Sequence, residues 1–310
     1  MEIIRGLHNL RDCHYGCVAT IGNFDGVHIG HQYILQQLLI QSREYDLPAL
    51  VISFDPQPQE FFTGKHFVRL SRFRDKAELL QEAGIHRILV IHFNQEFSQI
   101  SADDFVENIL LKRLGIKYLL VGDDFCCGKD RKGNFQHLSQ KAALHNFKLD
   151  KIETIESSAE RVSSTRIRKA LEHGNMEAAR TMLNRPYWLS GHVQHGAKKG
   201  RTIGFPTANI PLHRDTPAVR GVYAVKLCKK KQNLVFNGVA NIGFRPTVNG
   251  TKALLEVHLF DFDQDLYGQL VHVEFLHKIR DEKKFDSFEL LKQQILHDVE
   301  IAKEYFKKLT

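Results

Sequence analysis

The chain has 310 residues, 43% of them hydrophobic, which is enough for about two domains that each bury a core. Its 43 Lys and Arg residues outnumber its 36 Asp and Glu residues, giving a net charge of +7 and raising the question of an anionic partner. The longest basic run is only Lys229-Lys230-Lys231, and no basic segment alternates with aromatic residues as a base-stacking surface would require. We therefore expect anionic small molecules as ligands and no nucleic acid.

The sequence indicates a cytoplasmic protein. No apolar run approaches the roughly 18 residues that cross a bilayer, and the first residues do not resemble a signal peptide. The five cysteines show neither paired CxxC spacing nor the density of a disulfide scaffold, which fits a reducing compartment.

Strand-like and helix-like segments alternate through the first half of the chain. The predicted strands are 17–21, 49–54, 87–92 and 117–121, and the predicted helices are 31–44, 74–83, 102–113 and 135–146. Ser101 with Asp104 has the pattern of a capped helix start. This alternation predicts a Rossmann-like, doubly wound parallel sheet that binds its ligands at the carboxyl ends of the strands.

The pattern changes after a helical pair at 164–173 and 175–184. Asn184-Arg185-Pro186 interrupts the helical periodicity, so we place a boundary between domains 1–184 and 185–310 there. The later segments predicted as strands are 187–195, 221–228, 234–242, 253–260 and 270–276, with a helix at 286–307. They predict a small antiparallel β-barrel closed by a C-terminal helix.

A glycine-rich segment, GNFDGVHIGH at 22–31, follows the first predicted strand. It would place backbone N–H groups and two imidazoles, one helical turn apart, where nucleotide phosphates could sit. The alternative is that Asn23 and Asp25 form turns and that the histidines cap or pack. The candidate residues are Gly22, Asn23, Phe24, Asp25, Gly26, His28 and His31.

A second nucleotide motif begins the helical pair. The string His28-Ile29-Gly30-His31 occurs both in class I aminoacyl-tRNA synthetases and in smaller nucleotidyltransferases, but this chain lacks the Lys-Met-Ser-Lys-Ser-like loop of a synthetase. In its place is VSSTRIR at 162–168, whose hydroxyls and guanidinium groups would hold the β- and γ-phosphates. The candidate residues are Ser163, Ser164, Thr165, Arg166 and Arg168.

The second half has a glycine-rich segment of its own at 200–209. It lacks the ending of a Walker A loop, yet the Thr207 hydroxyl and the Asn209 amide could bind Mg²⁺ and an ATP phosphate together. Gly200 and Gly204 would lie beside the nucleotide, although the segment could also be an ordinary turn. Glu256 lies within a strand-like run, where a carboxylate faces either solvent or a site.

Four motifs in order resemble the adenylyltransferase module of bacterial bifunctional riboflavin kinase/FAD synthetases. They are GNFDGVHIGH, FDPQP at 54–58, GDDF at 122–125 and SSTRIR at 163–168. The resemblance implies that FMN and ATP give FAD and pyrophosphate, with His28, His31, Ser164 and Arg166 around the α-phosphate. It also implies flavin- or nucleotide-binding roles for Phe54, Pro56, Pro58, Asp124 and Phe125.

Residues 187–300 resemble the riboflavin kinase module of the same family. The resemblance implies that Thr207 and Asn209 hold Mg²⁺–ATP, that Glu256 is the base for phosphorylation of riboflavin to FMN, and that Arg280 and Glu282 lie beside the flavin. The expected partners are small molecules (ATP, riboflavin, FMN and FAD), and we expect a monomer or a weak homo-oligomer.

Two other functions fit parts of the pattern. The first is another nucleotidyltransferase with a non-catalytic barrel, and the second is a non-catalytic flavin- or RNA-binding protein. In addition, Cys126-Cys127 replace the family's usual Arg-Phe after the GDDF motif. We expect these cysteines to fill the aromatic slot as small apolar residues, with an accessible thiol beside the nucleotide as the alternative.

Overall fold

The computed structural model describes residues 1–64, 67–153, 156–157, 160–195, 205–212, 216–229, 232, 234–247 and 250–309. The chain divides into two compact units, which are described separately. The first unit comprises Met1–Phe67 and Ser71–Ser163, and the second comprises Val68–Leu70 and Ser164–Thr310.

The first unit contains a six-stranded sheet in the order β1-β4-β3-β2-β5-β6, in which each neighbouring pair is parallel. Its strands are β1 (Glu2–Arg5), β2 (Cys17–Ile21), β3 (Ala49–Phe54), β4 (Arg87–Ile91), β5 (Ile116–Gly122) and β6 (Lys148–Ile152). A short hairpin follows, β7 (Glu156–Ser157) and β8 (Glu160–Arg161).

Helices cover both faces of this sheet. They are α1 (Ile29–Glu44), α2 (Pro58–Thr63), α3 (Phe73–Glu82), α4 (Gln95–Ser98), α5 (Ala102–Asp104), which continues as a π-helix (Phe105–Leu111), and α6 (Phe135–His145). Alternate residues of β2 enter different cores: Ala19 packs with the π-helix and α6, and Val18 packs with α1 and α3. The predicted doubly wound parallel sheet is therefore confirmed.

The second unit begins with two helices, α7 (Ser164–Glu172) and α8 (Met176–Leu183), followed by an antiparallel sheet. The strand order is β10-β13-β12-β11-β14-β9. The strands are β9 (Tyr187–His192), β10 (Ala208–Pro211), β11 (Gly221–Lys229), β12 (Leu234–Thr247), β13 (Gly250–Leu259) and β14 (Leu270–Arg280).

The two edge strands of this sheet meet. An antiparallel bridge joins Gln194, just after β9, to Asn209 in β10, and the Gln194 N–H donates to the Asn209 carbonyl at 2.8 Å. The sheet therefore closes into the predicted barrel. The last helix, α9 (Phe288–Lys307), buries Val299 and Ala302 against Val222 and Val239 on the outer face.

The two compact units divide at Ser164 rather than at the predicted boundary 184/185. The reason is that α8 packs on β9 and β14, with Met176 and Met182 buried. The boundary 184/185 stays a prediction about independent folding.

The strands predicted at 17–21 and 49–54 have those bounds in the structure, and Ser101 caps α5 by accepting from the Asp104 N–H at 3.0 Å. The helix predicted at 102–113 differs, because most of it is π-helical. Among the described residues, no helix is long and apolar enough to span a bilayer.

Candidate functional sites in the two units

The loop between β2 and α1 has a conformation that needs external support. Phe24 and Val27 have positive φ angles of 48° and 41°, in the left-handed region where side chains other than Gly are disfavoured. Both side chains are buried, so packing contributes to holding them there.

Asp25 anchors this loop to the segment before α3. Its Oδ1 accepts from the Ser71 N–H at 3.0 Å and from the Ser71 hydroxyl at 3.2 Å, while the Ser71 Oγ accepts from the Gly26 N–H at 3.0 Å. Asp25 is buried, so the structure gives it a loop-fixing position rather than an open ligand-binding one.

The two predicted histidines lie together at the start of α1. His28 is the N-cap, and its Nδ1 accepts from the His31 N–H at 3.4 Å; in the neutral ring the proton is then on Nε2. The two rings stack with centroids 3.7 Å apart, and Phe24 lies 4.9 Å from the His31 ring. The prediction that both imidazoles share one side of a helix start agrees with this geometry.

Burial, together with the charges of His28 and Lys76, holds the pKa of His31 well below its ordinary value. In the described part of the chain, neither His31 Nδ1 nor Asn23 Oδ1 has a hydrogen-bond partner, although both atoms are buried. Buried polar atoms are normally satisfied, so a bound ligand is a natural partner for these two. The N-terminus of α1 adds positive potential for an anion.

An aromatic cluster lies at the carboxyl ends of β3 and β4. Phe93 is its centre, with ring centroids 5.4 to 5.9 Å from those of Phe54, Phe61, Phe62 and Phe97. Phe62 is 70% exposed, which leaves a ring face open at the end of α2. Sequence reasoning found Phe54 but missed the other rings, because the sequence does not show that the segment after β4 meets α2.

The two predicted prolines lie between Phe54 and Phe61 in the sequence. Pro56 follows a cis peptide bond after Asp55, and Pro58 is the first residue of α2.

The GDDF motif forms the turn after β5. Phe125 packs against the sheet core, whereas Asp124 is exposed and pairs with Arg161 at 2.7 Å. Cys127 is also packed there; its thiol donates to the Gly133 carbonyl at 3.5 Å, and burial raises its pKa to about 12. Cys126 is half-buried. Cys127 therefore occupies a packing position.

The SSTRIR motif spans the division between the units. Ser163 ends the first unit, and α7, which starts at Ser164, belongs to the second. Thr165 is exposed, while the Arg168 Nε donates to the Val68 carbonyl at 2.5 Å. The predicted meeting of Ser164 and Arg166 with the histidine pair stays a prediction.

A row of polar residues crosses three strands of the barrel. In the β-ladders, Glu256 on β13 is paired with Asn209 on β10 and with Asn241 on β12. Directly paired residues point to the same face, with Cβ atoms about 4.5–5.5 Å apart. Asn241 is in turn paired with Val222, so this face continues into the apolar cluster under α9. Sequence reasoning missed Asn241, because strand register is a long-range property.

The predicted Mg²⁺ ligands fit this row. The Asn209 Nδ2 is directed toward the Thr207 carbonyl and hydroxyl, at 3.1 and 3.5 Å, so its Oδ1 points away from that turn. Oxygen donors of this kind suit Mg²⁺ brought in with a nucleotide. Gly200 and Gly204 lie outside the described residues.

Arg280 forms an ion pair with Asp298 on the C-terminal helix α9. Its Nε and Nη2 donate to both carboxylate oxygens of Asp298 at 2.8 to 3.1 Å, and Asp298 is buried. Glu282 lies over Gly243, where an added Cβ would collide with Glu282 Oε1. Glu282 thus approaches the polar row, while a flavin contact of Arg280 stays a prediction.

Comparisons with known proteins identify a family for each half of the chain. Residues 10–166 match the FAD synthetase family model, and residues 183–306 match the riboflavin kinase family model. The chain is 49% identical over 307 residues to the bifunctional riboflavin kinase/FMN adenylyltransferase of Haemophilus influenzae, covering 99% of each. It is 44% identical over 308 residues to that of Escherichia coli K12, covering 99% of this chain and 98% of the relative.

A crystal structure described as a macrolide-efflux protein from Streptococcus pneumoniae is also similar, with a TM-score of 0.82 and 30% identity over 98% of this chain and 99% of that one. The match to a kinase model in the second half argues against the alternative of a non-catalytic barrel. The chain belongs to the family of bifunctional riboflavin kinase/FMN adenylyltransferases, with the adenylyltransferase activity in its N-terminal half and the kinase activity in its C-terminal half.

Proposed function

We propose that the stacked pair His28 and His31 holds the α-phosphate of ATP during adenylyl transfer. A phosphate oxygen of FMN attacks the α-phosphorus, the bond from this phosphorus to the bridging oxygen breaks, and pyrophosphate leaves. Positioning and charge stabilisation suffice for this displacement, with no covalent enzyme intermediate. The proposal is carried by the buried Nδ1 of His31, which has no hydrogen-bond partner among the residues that the structure describes. Ser164 and Arg166 would complete the site.

The aromatic cluster is proposed to bind the isoalloxazine ring of FMN. Its exposed member, Phe62, offers an open face beside Phe93, and offset stacking on such rings is favourable. The predicted residue Phe54 is a member of this cluster, and Pro56 and Pro58 lie between Phe54 and Phe61 in the sequence.

In the barrel, Glu256 is proposed to accept the proton of the riboflavin 5′-hydroxyl as its oxygen attacks the γ-phosphorus of ATP. ADP then leaves, and FMN is the product. Asn209 and Asn241 flank Glu256 in the ladders and would orient it. Mg²⁺, held by Thr207 and Asn209 when bound with ATP, would offset the charge of the phosphate oxygens.

We also retain the expectations of Mg²⁺ dependence, a cytoplasmic location, a monomer or weak homo-oligomer, and no nucleic-acid partner. The oxygen donor set of the barrel supports the first of these. Size-exclusion chromatography with light scattering measures the oligomeric state directly.

Two substitutions test whether the two reactions take place at separate sites. Both reactions can be followed in the same assay, because the wild-type chain catalyses both. His28→Ala should lower FAD formation about a hundredfold while FMN formation continues. Glu256→Gln should lower FMN formation by about 10²–10⁴ while FAD is still made from supplied FMN. Products from riboflavin, ATP and Mg²⁺ are separated by chromatography.

Each substitution has a matched control. His145→Ala replaces an exposed histidine near the end of α6, and Glu274→Gln replaces a half-buried strand carboxylate on β14. Both controls should keep both activities. Parallel loss of FMN and FAD formation in His28→Ala would contradict the two-site assignment.

A further inference from the structure

Lys76, on α3, is a charged side chain in an unusual place. It is only 4% exposed, and Ser53, at the end of β3, is 1% exposed. Lysines are almost never buried without compensating partners, because removing an ammonium group from water is costly. The roles proposed above for the two reactions do not use this lysine.

Hydrogen bonds connect Lys76 to the glycine-rich loop. The Lys76 Nζ donates to the Ser53 Oγ at 3.0 Å, and the Ser53 hydroxyl donates to the Asn23 carbonyl at 3.4 Å. The next residue is Phe24, whose positive φ carries a conformational cost of about 1–3 kcal/mol. We call the two hydrogen bonds from Lys76 through Ser53 to Asn23 the relay. The relay thus holds the glycine-rich loop next to a residue whose backbone is strained.

The segment 71–76 therefore supports the loop at two points. Ser71 bonds to Asp25 and Gly26 on one side, and Lys76 reaches Asn23 through Ser53 on the other. Between the two anchors lies Phe24, with its positive φ angle.

Lys76 also acts on the reacting end of the site through its charge. The titratable and charged groups that act on His31 are His28, at the start of the same helix, and Lys76 on α3. With burial, both disfavour a second proton on the ring, so His31 stays neutral and holds a phosphate oxygen through its one N–H group rather than as a cation.

We propose that Lys76 is a positioning residue for adenylyl transfer, which fixes the glycine-rich loop through Ser53 and imposes its charge on His31. The proposal rests on the role assigned above to the histidine pair. A direct contact of Lys76 with substrate forms no part of it.

The test compares Lys76→Met with Ser53→Ala in the full chain, with FMN supplied. Lys76→Met should lower the kcat of FAD formation about a hundredfold, because it removes both the relay and the charge. Ser53→Ala keeps the Lys76 ammonium group but removes the hydroxyl that connects it to Asn23. The kcat of FAD formation should therefore fall about five- to tenfold. FMN formation by the same molecules should be unchanged.

Arg74→Met is the matched control, since it removes an exposed cation from the same helix. It should leave the kcat of FAD formation as in the wild type.

The pH profile separates positioning from simple structural support. Without the Lys76 charge, the pKa of His31 should rise toward its ordinary value, so the acid limb of kcat for FAD formation should move to higher pH in Lys76→Met. In Ser53→Ala and Arg74→Met the limb should stay in place. An unmoved acid limb in Lys76→Met, or equal losses of FMN and FAD formation, would overturn the proposal.

If Lys76→Met does not fold, the Ser53→Ala variant decides. Wild-type kcat for FAD formation in that variant would refute the relay. A failure of the histidine proposal is distinguishable, because it would show as normal FAD formation in His28→Ala.

Discussion

Replacing Arg280 by Met should destabilise the second unit, because the change leaves a buried carboxylate without its main partner. The Asp298 side chain is 3% exposed, and Arg280 makes three hydrogen bonds to it, while Gln294 adds one at 2.9 Å. Breaking a buried pair costs about 3–5 kcal/mol. Since the Arg280 side chain is 22% exposed, we expect a loss near the lower end of that range.

This loss corresponds to a fall in melting temperature of about 6–12 °C for a unit of this size. Circular dichroism of the full chain follows the melting transition, and FMN formation reports whether the kinase site survives below it. Replacing both partners, as in Arg280→Met with Asp298→Leu, should recover most of the stability, because the uncompensated charge is gone.

The rival interpretation is that Arg280 serves the flavin alone. It predicts an increased KM for riboflavin with an unchanged melting temperature. A wild-type melting temperature in Arg280→Met would refute the reasoning from the ion pair.

Three further outcomes are expected. A fragment of residues 185–310 should fold and phosphorylate riboflavin. Its melting temperature should be lower than that of a fragment of residues 164–310, because the longer fragment keeps the packing of α8 on β9 and β14. The absence of a cooperative melt in the fragment 185–310 would show that the domains depend on each other. The free energy of unfolding should fall as pH decreases below about 6.5, because the unfolded chain protonates His31 and the folded chain resists it, and His31→Gln should weaken this dependence in urea titrations. Iodoacetamide should label Cys127 slowly in the native protein, since burial raises its thiol pKa, and mass mapping that shows rapid labelling would contradict its packing position.

Prediction from sequence worked best where local pattern and burial coincide. The strand Cys17–Ile21 is buried at every residue, so its continuous apolar run marked both of its ends. The strands β1 and β6 were not predicted, because they are edge strands without a continuous apolar run. In Glu2–Arg5 only Ile4 is buried, and Lys148–Ile152 carries three charged residues.

The candidate sites divide in the same way. His28 and His31 were found because their spacing within one helix is local. Lys76 and Asn241 were not found, because their importance depends on pairings with residues far away in the chain, namely Ser53 and Glu256. Similarly, nothing in the charge pattern around Arg280 indicates that Asp298, 18 residues later, receives its guanidinium group.

The closure of the barrel has a consequence for how the kinase site fluctuates. Asn209 accepts the bond that joins the two edge strands with its main chain, while its side chain belongs to the proposed Mg²⁺–ATP site. Edge strands as short as β10 open more readily than a barrel interior, so transient opening there would dismantle the site while the other strands stay paired. A nucleotide that binds to Asn209 stabilises the form in which the two edge strands are joined. It must therefore slow hydrogen exchange at the Gln194 amide by the same factor by which it stabilises that form.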